Sequence, residues 1–553
     1  MDGKQLFLQI HPADNVLVAL QDLPPGTAIN FGGKQFHVLS GVKAKHKFTI
    51  EPLEAGDAVR MYGVLVGRTN VALPQGETIS TENIHHAADP FKLGERRLDW
   101  QEPDVSAFEN LTFMGYHRSN GTVGTANYWL VIPMVFCENR NVLVMKRALE
   151  EKLGYGKRSR DYEPEVDRLI QLYEAGATIE DILNADIATD KGQDSGRRLF
   201  EQVDGVKFLN HEMGCGGTRT DSDALCGLLA GYITHPNVAG ATVLSLGCQH
   251  AQASILRAEI AKRDPHFDKP LYVFEQQLMG TEANLMQQAL KHTFAGLMLA
   301  NRQRRAPAPL SKLCIGLECG GSDGFSGISA NPALGYVSDM LVTMGGSVIL
   351  SEFPELCGVE QELSDRCVDE PTALRFMELM KTYAAKAEAD GSGFYANPSP
   401  GNIRDGLITD AIKSAGAAKK GGTSPVAAVI DYPGVANGPG LNLLCTPGND
   451  VESTTAEVAA GANVVLFTTG LGTPTGNPIA PVIKLSTNTK LYERMPDIID
   501  INCGTIIDGE ETIPQAAHRI LRYVIEVASG HVQPKAVLLG QDDFIPWRRG
   551  VSL

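Results

Sequence analysis

The 553-residue sequence has no run approaching the roughly 20 apolar residues that a membrane-spanning helix needs. Its first residues, MDGKQLFLQIHPADNV, lack a basic segment followed by a long apolar run, so we see no secretory signal and expect a cytoplasmic protein. Positive charge is also scarce, since the formal net charge is −16 and phosphate backbones repel so acidic a chain. These absences argue against membrane and nucleic-acid partners.

Several motifs that would assign a function are missing. The 10 cysteines include no CxxC pair, which argues against a zinc finger and a thioredoxin-like site. The P-loop pattern GxxxxGK[ST] is absent, and GLGTPTG resembles the dinucleotide pattern GxGxxG only superficially. We therefore expect no nucleotide hydrolysis, no nicotinamide cofactor and no pyridoxal phosphate.

Two patterns of apolar runs divide the sequence. Residues 1–88 contain short runs such as NVLVAL, separated by turns such as LPPGT, which predict a small all-β domain. Residues 89–112 are charged and poor in aliphatic residues, as linkers are. Farther on, continuous apolar runs followed by glycine and helix-like segments predict α/β domains with parallel strands over 113–310 and 311–553. A charged helical stretch over 150–200 is predicted to be a surface insertion.

Four cysteines stand at the C-terminal ends of predicted strands: Cys137, Cys215, Cys248 and Cys319. In open α/β sheets ligands bind at that edge, where the helices that follow add free N–H groups and a positive dipole. Several thiols at one edge predict a soft metal site. The alternative for any one of them is that it packs as a small hydrophobic side chain.

Imidazoles and a carboxylate stand beside three of these thiols in the sequence. Such donors suit Fe(II) or Mn(II) acting as a Lewis acid. The predicted metal ligands are Cys215, Cys248, Cys319 and Glu318. His211 and His250 are the predicted proton-transfer groups, with a surface or helix-capping role as the alternative. In FPELCGVE, Glu355 and Glu360 are interpreted as carboxylates that stabilise a helix start.

Polar loops follow other predicted strands. GLECGGSDGFSG, ANPSPGN and TTGLGTPTGNP combine glycine with hydroxyl and amide side chains that suit a polyol. The substrate-binding residues predicted in these loops are Ser322, Asp323, Asn402 and Thr473. Three basic residues are predicted to bind a carboxylate, with a solvated charge as the alternative for each: Arg404, Lys413 and Lys484.

Long strings of the sequence resemble the altronate/galactarate dehydratase family, among them HPADNVLVALQDLPPGT, GLECGGSDGFSGISANPALG and SEFPELCGVEQEL. The resemblance runs in order over nearly the whole chain, apart from 150–200. It implies a SAF-like β-clip domain (1–88), a linker, a middle dimerisation domain and a C-terminal Rossmann-variant domain. It also implies an iron-dependent sugar-acid dehydratase that forms a homodimer. His46 and Lys47, in AKHKF, become catalytic candidates if the N-terminal domain folds over the site.

The activity that the resemblance implies is conversion of D-altronate to 2-dehydro-3-deoxy-D-gluconate and water. Removing the C2 proton creates an enediolate, which a divalent ion would stabilise, and the departing C3 hydroxyl needs an acid. Three alternatives stay open. They are a galactarate or sulfonated hydroxy-acid lyase of the same family, an iron–sulfur enzyme built on three strand-end cysteines, and a non-catalytic sugar-acid-binding protein.

Overall fold

Short antiparallel strands build the N-terminal domain of the computed structural model, which describes residues 5–156, 162–188 and 198–552. The strands are β1 (Phe7–Leu8), β2 (Val16–Ala19), β3 (Ala28–Phe31), β4 (Lys34–His37), β5 (Lys47–Thr49), β6 (Ala58–Met61), β7 (Val64–Thr69) and β8 (Ile84–His85). They pair in the orders β1-β2-β5, β3-β4 and β6-β7-β8. Leu17, Ile29 and Phe48 are buried together in a small core of this domain.

A four-stranded parallel sheet forms the centre of the middle domain. Its order is β12-β11-β13-β14, while β10-β9-β15 form a separate antiparallel sheet. The strands are β9 (Thr112–His117), β10 (Val123–Gly124), β11 (Tyr128–Pro133), β12 (Gly205–Phe208), β13 (Val238–Ser245), β14 (Leu271–Glu275) and β15 (Arg305–Pro309). The helices are α1 (Asn139–Leu153), α2 (Glu163–Glu174), α3 (Ile179–Asn184), α4 (Arg219–Thr234), α5 (Ala253–Arg263), α6 (Gln276–Met279) and α7 (Glu282–Ala300). β11 and β13 are buried along their whole length, and β11 is accordingly an unbroken apolar run.

A seven-stranded parallel sheet forms the C-terminal domain, in the order β18-β19-β17-β16-β20-β21-β22. Its strands are β16 (Cys314–Cys319), β17 (Ser347–Leu350), β18 (Val426–Asp431), β19 (Gly440–Cys445), β20 (Val464–Thr469), β21 (Val482–Ser486) and β22 (Ile501–Asn502). The helices are α8 (Ala330–Thr343), α9 (Glu360–Asp365), α10 (Glu370–Ala389), α11 (Pro400–Arg404), α12 (Asp410–Ala417), α13 (Asp450–Ala459), α14 (Thr489–Arg494), α15 (Gly504–Ile507), α16 (Ile513–Ala528) and α17 (Lys535–Leu538). The predicted fold class, a small all-β domain before an α/β body with a C-terminal parallel sheet, is confirmed.

The order of strands creates a switch point between β16 and β20. The chain goes from β16 to β17 on one side, whereas β20 pairs with the other side of β16. Loops that leave the carboxyl ends of such strands flank a crevice where ligands bind in open α/β sheets. Here the backbone N–H groups of Gly470 and Leu471 donate to the carbonyl oxygen of Gly321, at 3.0 and 2.9 Å. The loops after β16 and β20 therefore leave the sheet side by side.

The predicted insertion over 150–200 includes α2 and α3. Their apolar side chains are largely exposed, with Tyr173 at 74% and Ile179 at 81%, as expected for a surface segment. Residues 157–161 and 189–197 of this stretch lie outside the described residues. Across the described ranges, none of the helices combines the length and apolar character that crossing a bilayer requires.

Candidate active site

The loop after β16 is rich in glycine because other groups approach its backbone closely. A Cβ on Gly320 would collide with the carboxylate of Asp450, and a Cβ on Gly324 would collide with the carbonyl oxygen of Lys45. Gly321 has a φ of +60°, in the left-handed region that glycine adopts most readily. The bare loop thus lets charged segments of α13 and of the N-terminal domain reach the end of β16.

A thiol and two carboxylates meet at the end of β16, and we call Cys319, Glu352 and Glu355 the Cys319 cluster. Their ligand atoms all lie within 4.8 Å of one another, and all three residues are buried. The Cys319 Sγ atom is 3.4 Å from Glu352 Oε2 and 3.1 Å from Glu355 Oε2. Burial, with these two carboxylates, raises the pKa of the Cys319 thiol well above its usual value.

Two buried lysines balance the carboxylates of the Cys319 cluster. Lys420 Nζ is 2.5 Å from Glu352 Oε2, and Lys413 Nζ is 2.6 Å from Glu355 Oε1. Burial alone would raise the pKa of Glu355, but Lys413 and Lys420 hold it below its usual value. Paired in this way, the charges can stay away from water. Lys413 also donates to the side-chain oxygen of Asn397, at 2.6 Å.

Further carboxyl groups surround the cluster. Glu318 and Glu457 are fully buried, and Ser351 Oγ donates to Glu457 at 2.7 Å. Burial raises the pKa of Glu457 to about 8, and burial with the neighbouring Glu352 raises that of Glu318 well above its usual value. One oxygen of each of Glu318, Glu352 and Glu457 is buried without a hydrogen-bond partner. At neutral pH this layer holds protons as well as negative charge.

Asp450, the first residue of α13, is a carboxyl group suited to donate a proton. Its pKa is raised to about 7, mainly by burial and secondly by the negative charges of Glu352 and Glu355. The group touches the bare backbone of Gly320, directly after Cys319. An acid of this kind is close to half protonated at neutral pH, which is the condition that general acid catalysis favours.

The N-terminal domain brings three consecutive basic residues, 45–47, to the same loop. Lys45 Nζ forms ion pairs with Asp323 Oδ2 at 2.9 Å and with Asp405 Oδ1 at 2.8 Å. Lys47 Nζ donates to the carbonyl oxygen of Gly406 at 2.5 Å, and His46 Nε2 lies 3.1 Å from the carbonyl oxygen of Arg404. These contacts attach the N-terminal domain to the loops at the carboxyl end of the C-terminal sheet.

The protonation states of these residues differ from those of surface groups. Burial lowers the pKa of Lys47 to about 7 and also lowers the pKa of His46. Because the Arg404 carbonyl can only accept, His46 Nε2 carries a proton and Nδ1 keeps its lone pair. His46 is only partly buried. It is therefore a neutral imidazole with a basic nitrogen at this edge of the site.

Strained backbone conformations occur around the loop after β16. Among the described residues, the non-glycine positions with positive φ are Lys45 (77°), Tyr62 (60°) and Glu352 (62°). Lys45 and Glu352 carry charges of the site, and the Tyr62 hydroxyl occupies the space beside Gly327. Such conformations cost on the order of 1 kcal/mol or more each and persist where surrounding contacts impose them, often at functional sites.

Family models and known proteins match this sequence over nearly the whole chain. Family models match residues 5–87 (altronate/galactarate dehydratase SAF domain), 115–301 (D-galactarate dehydratase/altronate hydrolase, second domain) and 310–552 (D-galactarate/altronate dehydratase, C-terminal). An altronate dehydratase of Bacillus subtilis (strain 168) is 34% identical over 95% of both chains. An altronate dehydratase of Escherichia coli (strain K12) is 31% identical over 95% of both. The galactarate dehydratase (L-threo-forming) of E. coli K12 is 30% identical over 95% of this chain and 93% of its own length.

The chain belongs to the D-galactarate/altronate dehydratase family. It is therefore an enzyme of the hydro-lyase class, in a family that acts on sugar acids. Its first domain is a SAF domain, as the resemblance implied. The assignment to an enzyme also decides against a non-catalytic binding protein.

The structure of this dehydratase does not gather the predicted cysteine ligands. The sulfur atoms of Cys215, Cys248 and Cys319 do not lie within 4.8 Å of one another, and Cys215 and Cys248 are exposed. Cys215 and Cys248 follow β12 and β13 of the four-stranded sheet, whereas Cys319 is the last residue of β16 in the seven-stranded sheet. Because each parallel sheet has its own carboxyl edge, thiols at the strand ends of different sheets do not share one edge. The iron–sulfur alternative, which needed three strand-end thiols at one point, has no support in this arrangement.

The two predicted proton-transfer histidines of the middle domain also lie apart from the Cys319 cluster. His211 is buried, its Nε2 donates to the Pro133 carbonyl at 2.7 Å, and its Nδ1 accepts from the Met213 N–H at 3.1 Å. Both ring nitrogens are thus used by the backbone, which is a structural role. His250 is exposed and follows β13. Neither belongs to a group of three metal-ligating side chains among the described residues.

The predicted substrate-binding residues divide between the site and other places. Asn402 Nδ2 donates to the Ser322 carbonyl at 2.8 Å, and Asp323 accepts hydrogen bonds from Ser326 and Thr487, so both organise the loop. Three other residues lie elsewhere or are open to solvent. Arg404 is exposed beside His46, the Thr473 hydroxyl lies 2.9 Å from that of Thr475, and Lys484 donates to Gln541.

Four residues of the site were not predicted as such from the sequence: Lys45, Glu352, Lys420 and Asp450. Glu352 directly follows the strand-like string GGSVILS, which was a usable signal, since polar residues after parallel strands meet at the sheet edge. Asp450 opens a helix after LNLLCTPGN and offered the same signal. The sequence predicts that Glu355 is a helix-start carboxylate. It does lie in a 3-10 helix, Phe353–Leu356, but its ion pair with Lys413 makes it part of the Cys319 cluster.

Proposed function

We propose that this enzyme removes water from D-altronate to give 2-dehydro-3-deoxy-D-gluconate, with a divalent metal ion at the Cys319 cluster. Support for the substrate comes from the two altronate dehydratases that are 34% and 31% identical over 95% of the chain. The observation that carries the proposed site is the buried Cys319 cluster at the sheet's switch point, with basic residues of the SAF domain on the adjoining loops.

The donors of the Cys319 cluster fit Fe(II) or Mn(II). One thiol and two carboxylates are a mixed soft and hard set, and Glu352 Oε1 is buried without a hydrogen-bond partner. Burial and the Glu355 charge raise the pKa of Glu352 even though Lys420 pairs with it. When bound, such an ion supplies a Lewis acid that stabilises negative charge on the substrate carboxylate and on the hydroxyl next to it.

Arg404 is the proposed anchor for the substrate carboxylate. It is exposed at the end of α11, and its carbonyl oxygen holds His46. A guanidinium can bind a carboxylate with two parallel hydrogen bonds, which fixes the acid's orientation as well as its position. In a chain of net charge −16, a local cation is also needed to admit an anionic substrate.

His46 is the proposed base and Asp450 the proposed acid. The lone pair of His46 Nδ1 takes the proton from C2, and the C–H electrons move toward the carboxylate. The C3–O bond then breaks, and the proton of the Asp450 carboxyl converts the departing hydroxide into water. The resulting enol takes a proton at C3 and loses the proton of its C2 hydroxyl, which gives the 2-keto acid. The sum is the loss of one water molecule, with no oxidation or reduction.

Anaerobic assays of 2-keto acid formation test this proposal. The full-length protein is treated with a chelator and then supplied with Fe(II), Mn(II) or no metal, with D-altronate or galactarate as substrate. We expect product from D-altronate only when metal is supplied. A higher kcat/KM for galactarate than for D-altronate would instead identify the enzyme as a galactarate dehydratase. Full activity without metal would overturn the metal role.

A further inference from the structure

A second group of metal-ligating side chains lies outside the Cys319 cluster. His86 follows β8 of the SAF domain, Cys357 follows the 3-10 helix Phe353–Leu356, and Asp410 is the first residue of α12. One ligand atom from each lies within 4.8 Å of the other two. We call these three residues the His86 triad. They come from three segments and two domains, so their meeting is a property of the assembled chain.

Close backbone packing holds the three segments together. Gly358 has a φ of +93°, in the left-handed region that favours glycine, and a Cβ there would lie 3.2 Å from Ala411 and 3.4 Å from Ala88. Gly358 directly follows Cys357, Ala411 directly follows Asp410, and Ala88 lies two residues after His86. The positions of the three side chains are therefore fixed by packing of the chain on both sides.

One nitrogen of the triad is buried but makes no hydrogen bond. His86 Nδ1 contacts the Asp410 carboxylate, yet the contact lacks hydrogen-bond geometry. At so close an approach a cation, either a proton or a metal ion, lies between the ring nitrogen and the carboxylate oxygen. The Asp410 side chain is only 3% exposed, whereas that of His86 is 34% exposed, so an ion could enter from the His86 side.

We propose that the His86 triad binds a zinc ion that joins the SAF domain to the C-terminal domain. Imidazole, thiolate and carboxylate are the ligands that zinc takes in proteins, at about 2.0–2.3 Å, which places the donor atoms of a tetrahedral site about 3.5 Å apart. The observed spread of donors, within 4.8 Å, needs only small side-chain movements to reach that geometry. A water molecule completes the four ligands.

Charge balance favours a divalent ion at this place. Binding displaces the thiol proton of Cys357 into solvent and leaves a thiolate and a carboxylate, whose two negative charges equal the charge of Zn²⁺. The proposal is independent of the dehydration chemistry, because none of the three residues belongs to the Cys319 cluster. The two sites are nevertheless linked in structure, since Glu355 precedes Cys357 by two residues and Lys413 follows Asp410 on α12.

Metal analysis of full-length variants tests the zinc site. The parent protein, Cys357→Ser and Asp410→Asn are stripped with a chelator, equilibrated with Zn²⁺ and freed of unbound ion before zinc is measured by emission spectroscopy. Cys137→Ser, which removes an exposed thiol elsewhere, is the matched control. We expect Cys357→Ser and Asp410→Asn to bind about one zinc ion fewer per chain than the parent and the control. Equal zinc content in all four proteins would overturn the proposal.

A second measurement uses the unaltered protein, so that it does not depend on whether a variant folds. The chain is treated with a thiol-alkylating reagent with and without Zn²⁺, and the modified cysteines are identified by mass spectrometry. We expect Zn²⁺ to slow alkylation of Cys357 and to leave that of Cys137 unchanged, because a zinc-bound thiolate is shielded from the reagent. Alkylation of Cys357 at the same rate in both conditions would contradict the site.

Discussion

Replacing Lys420 by Met should strongly destabilise the C-terminal domain. Lys420 Nζ is 2.5 Å from Glu352 Oε2, and both side chains are 1% exposed. The variant keeps a side chain of similar length but leaves the Glu352 carboxylate buried without its cation. Removing one partner of a buried ion pair costs about 3–5 kcal/mol. We expect a loss of that size in the metal-free protein.

The reasoning can be separated from a simple packing defect by a second substitution. In Lys420→Met/Glu352→Gln the negative charge is removed as well, so most of the loss should be recovered. Unfolding is followed by calorimetry at neutral pH in the presence of a chelator, with the transition of the C-terminal domain compared among variants. The midpoint should fall by on the order of 10 °C in Lys420→Met, for a domain of this size.

A surface ion pair provides the control for this experiment. Arg147 and Glu151 form an i,i+4 pair on α1, with side chains 84% and 59% exposed. Arg147→Met should change the free energy of unfolding by less than about 1 kcal/mol. The argument fails if Lys420→Met is no more destabilising than Arg147→Met, or if the double variant is no more stable than Lys420→Met alone.

Three further predictions concern other parts of the molecule. Gly320→Ala places a methyl group against the Asp450 carboxylate, so kcat should fall while the middle domain melts as before; unchanged turnover would contradict the close contact. Burial lowers the pKa of His211 from 6.5 to about 4. Its contribution to the free energy of unfolding, about 3 kcal/mol, is therefore complete above pH 6.5 and is lost between pH 6.5 and 4. In His211→Gln, the steep fall in melting temperature over that range should become shallower, whereas an unchanged pH profile would exclude this titration. For the predicted homodimer, Met298→Glu on α7, where the side chain is 51% exposed, should halve the mass measured by light scattering; an unchanged mass would exclude this face of α7 from the interface.

Local features of the fold follow from the sequence because they depend on neighbouring residues. Apolar runs such as YWLVIP, in Tyr128–Pro133, and VVLF, at the start of Val464–Thr469, form strands that are buried on both faces. Of the cysteines predicted at strand ends, Cys319 ends β16, while Cys137, Cys215 and Cys248 stand four, seven and three residues after β11, β12 and β13. How strands are shared between sheets depends on packing between distant segments, which periodicity does not encode. For that reason the sequence indicated one edge where the structure has two.

The candidate site shows the same limit at the level of side chains. Cys319 was identified because it stands at the end of a strand-like run, and His46 and Lys47 through a family resemblance. Lys45 contacts Asp405, 360 residues away along the chain, and no local pattern indicates that pair. Lys420 lies in the string AKKGG and looks like a solvated charge, although it is buried against Glu352. Charges that are paired over long distances can be recognised only once the fold brings them together.

The central claim is that the chemistry takes place at the Cys319 cluster and not at the strand-end cysteines of the middle domain. The most direct test compares Cys319→Ser with Cys215→Ser in the anaerobic, Fe(II)-supplied assay of 2-keto acid formation from D-altronate. We predict that Cys319→Ser loses nearly all turnover and its bound metal, while Cys215→Ser keeps both. Loss of turnover and metal in Cys215→Ser, with a fully active Cys319→Ser, would contradict this account.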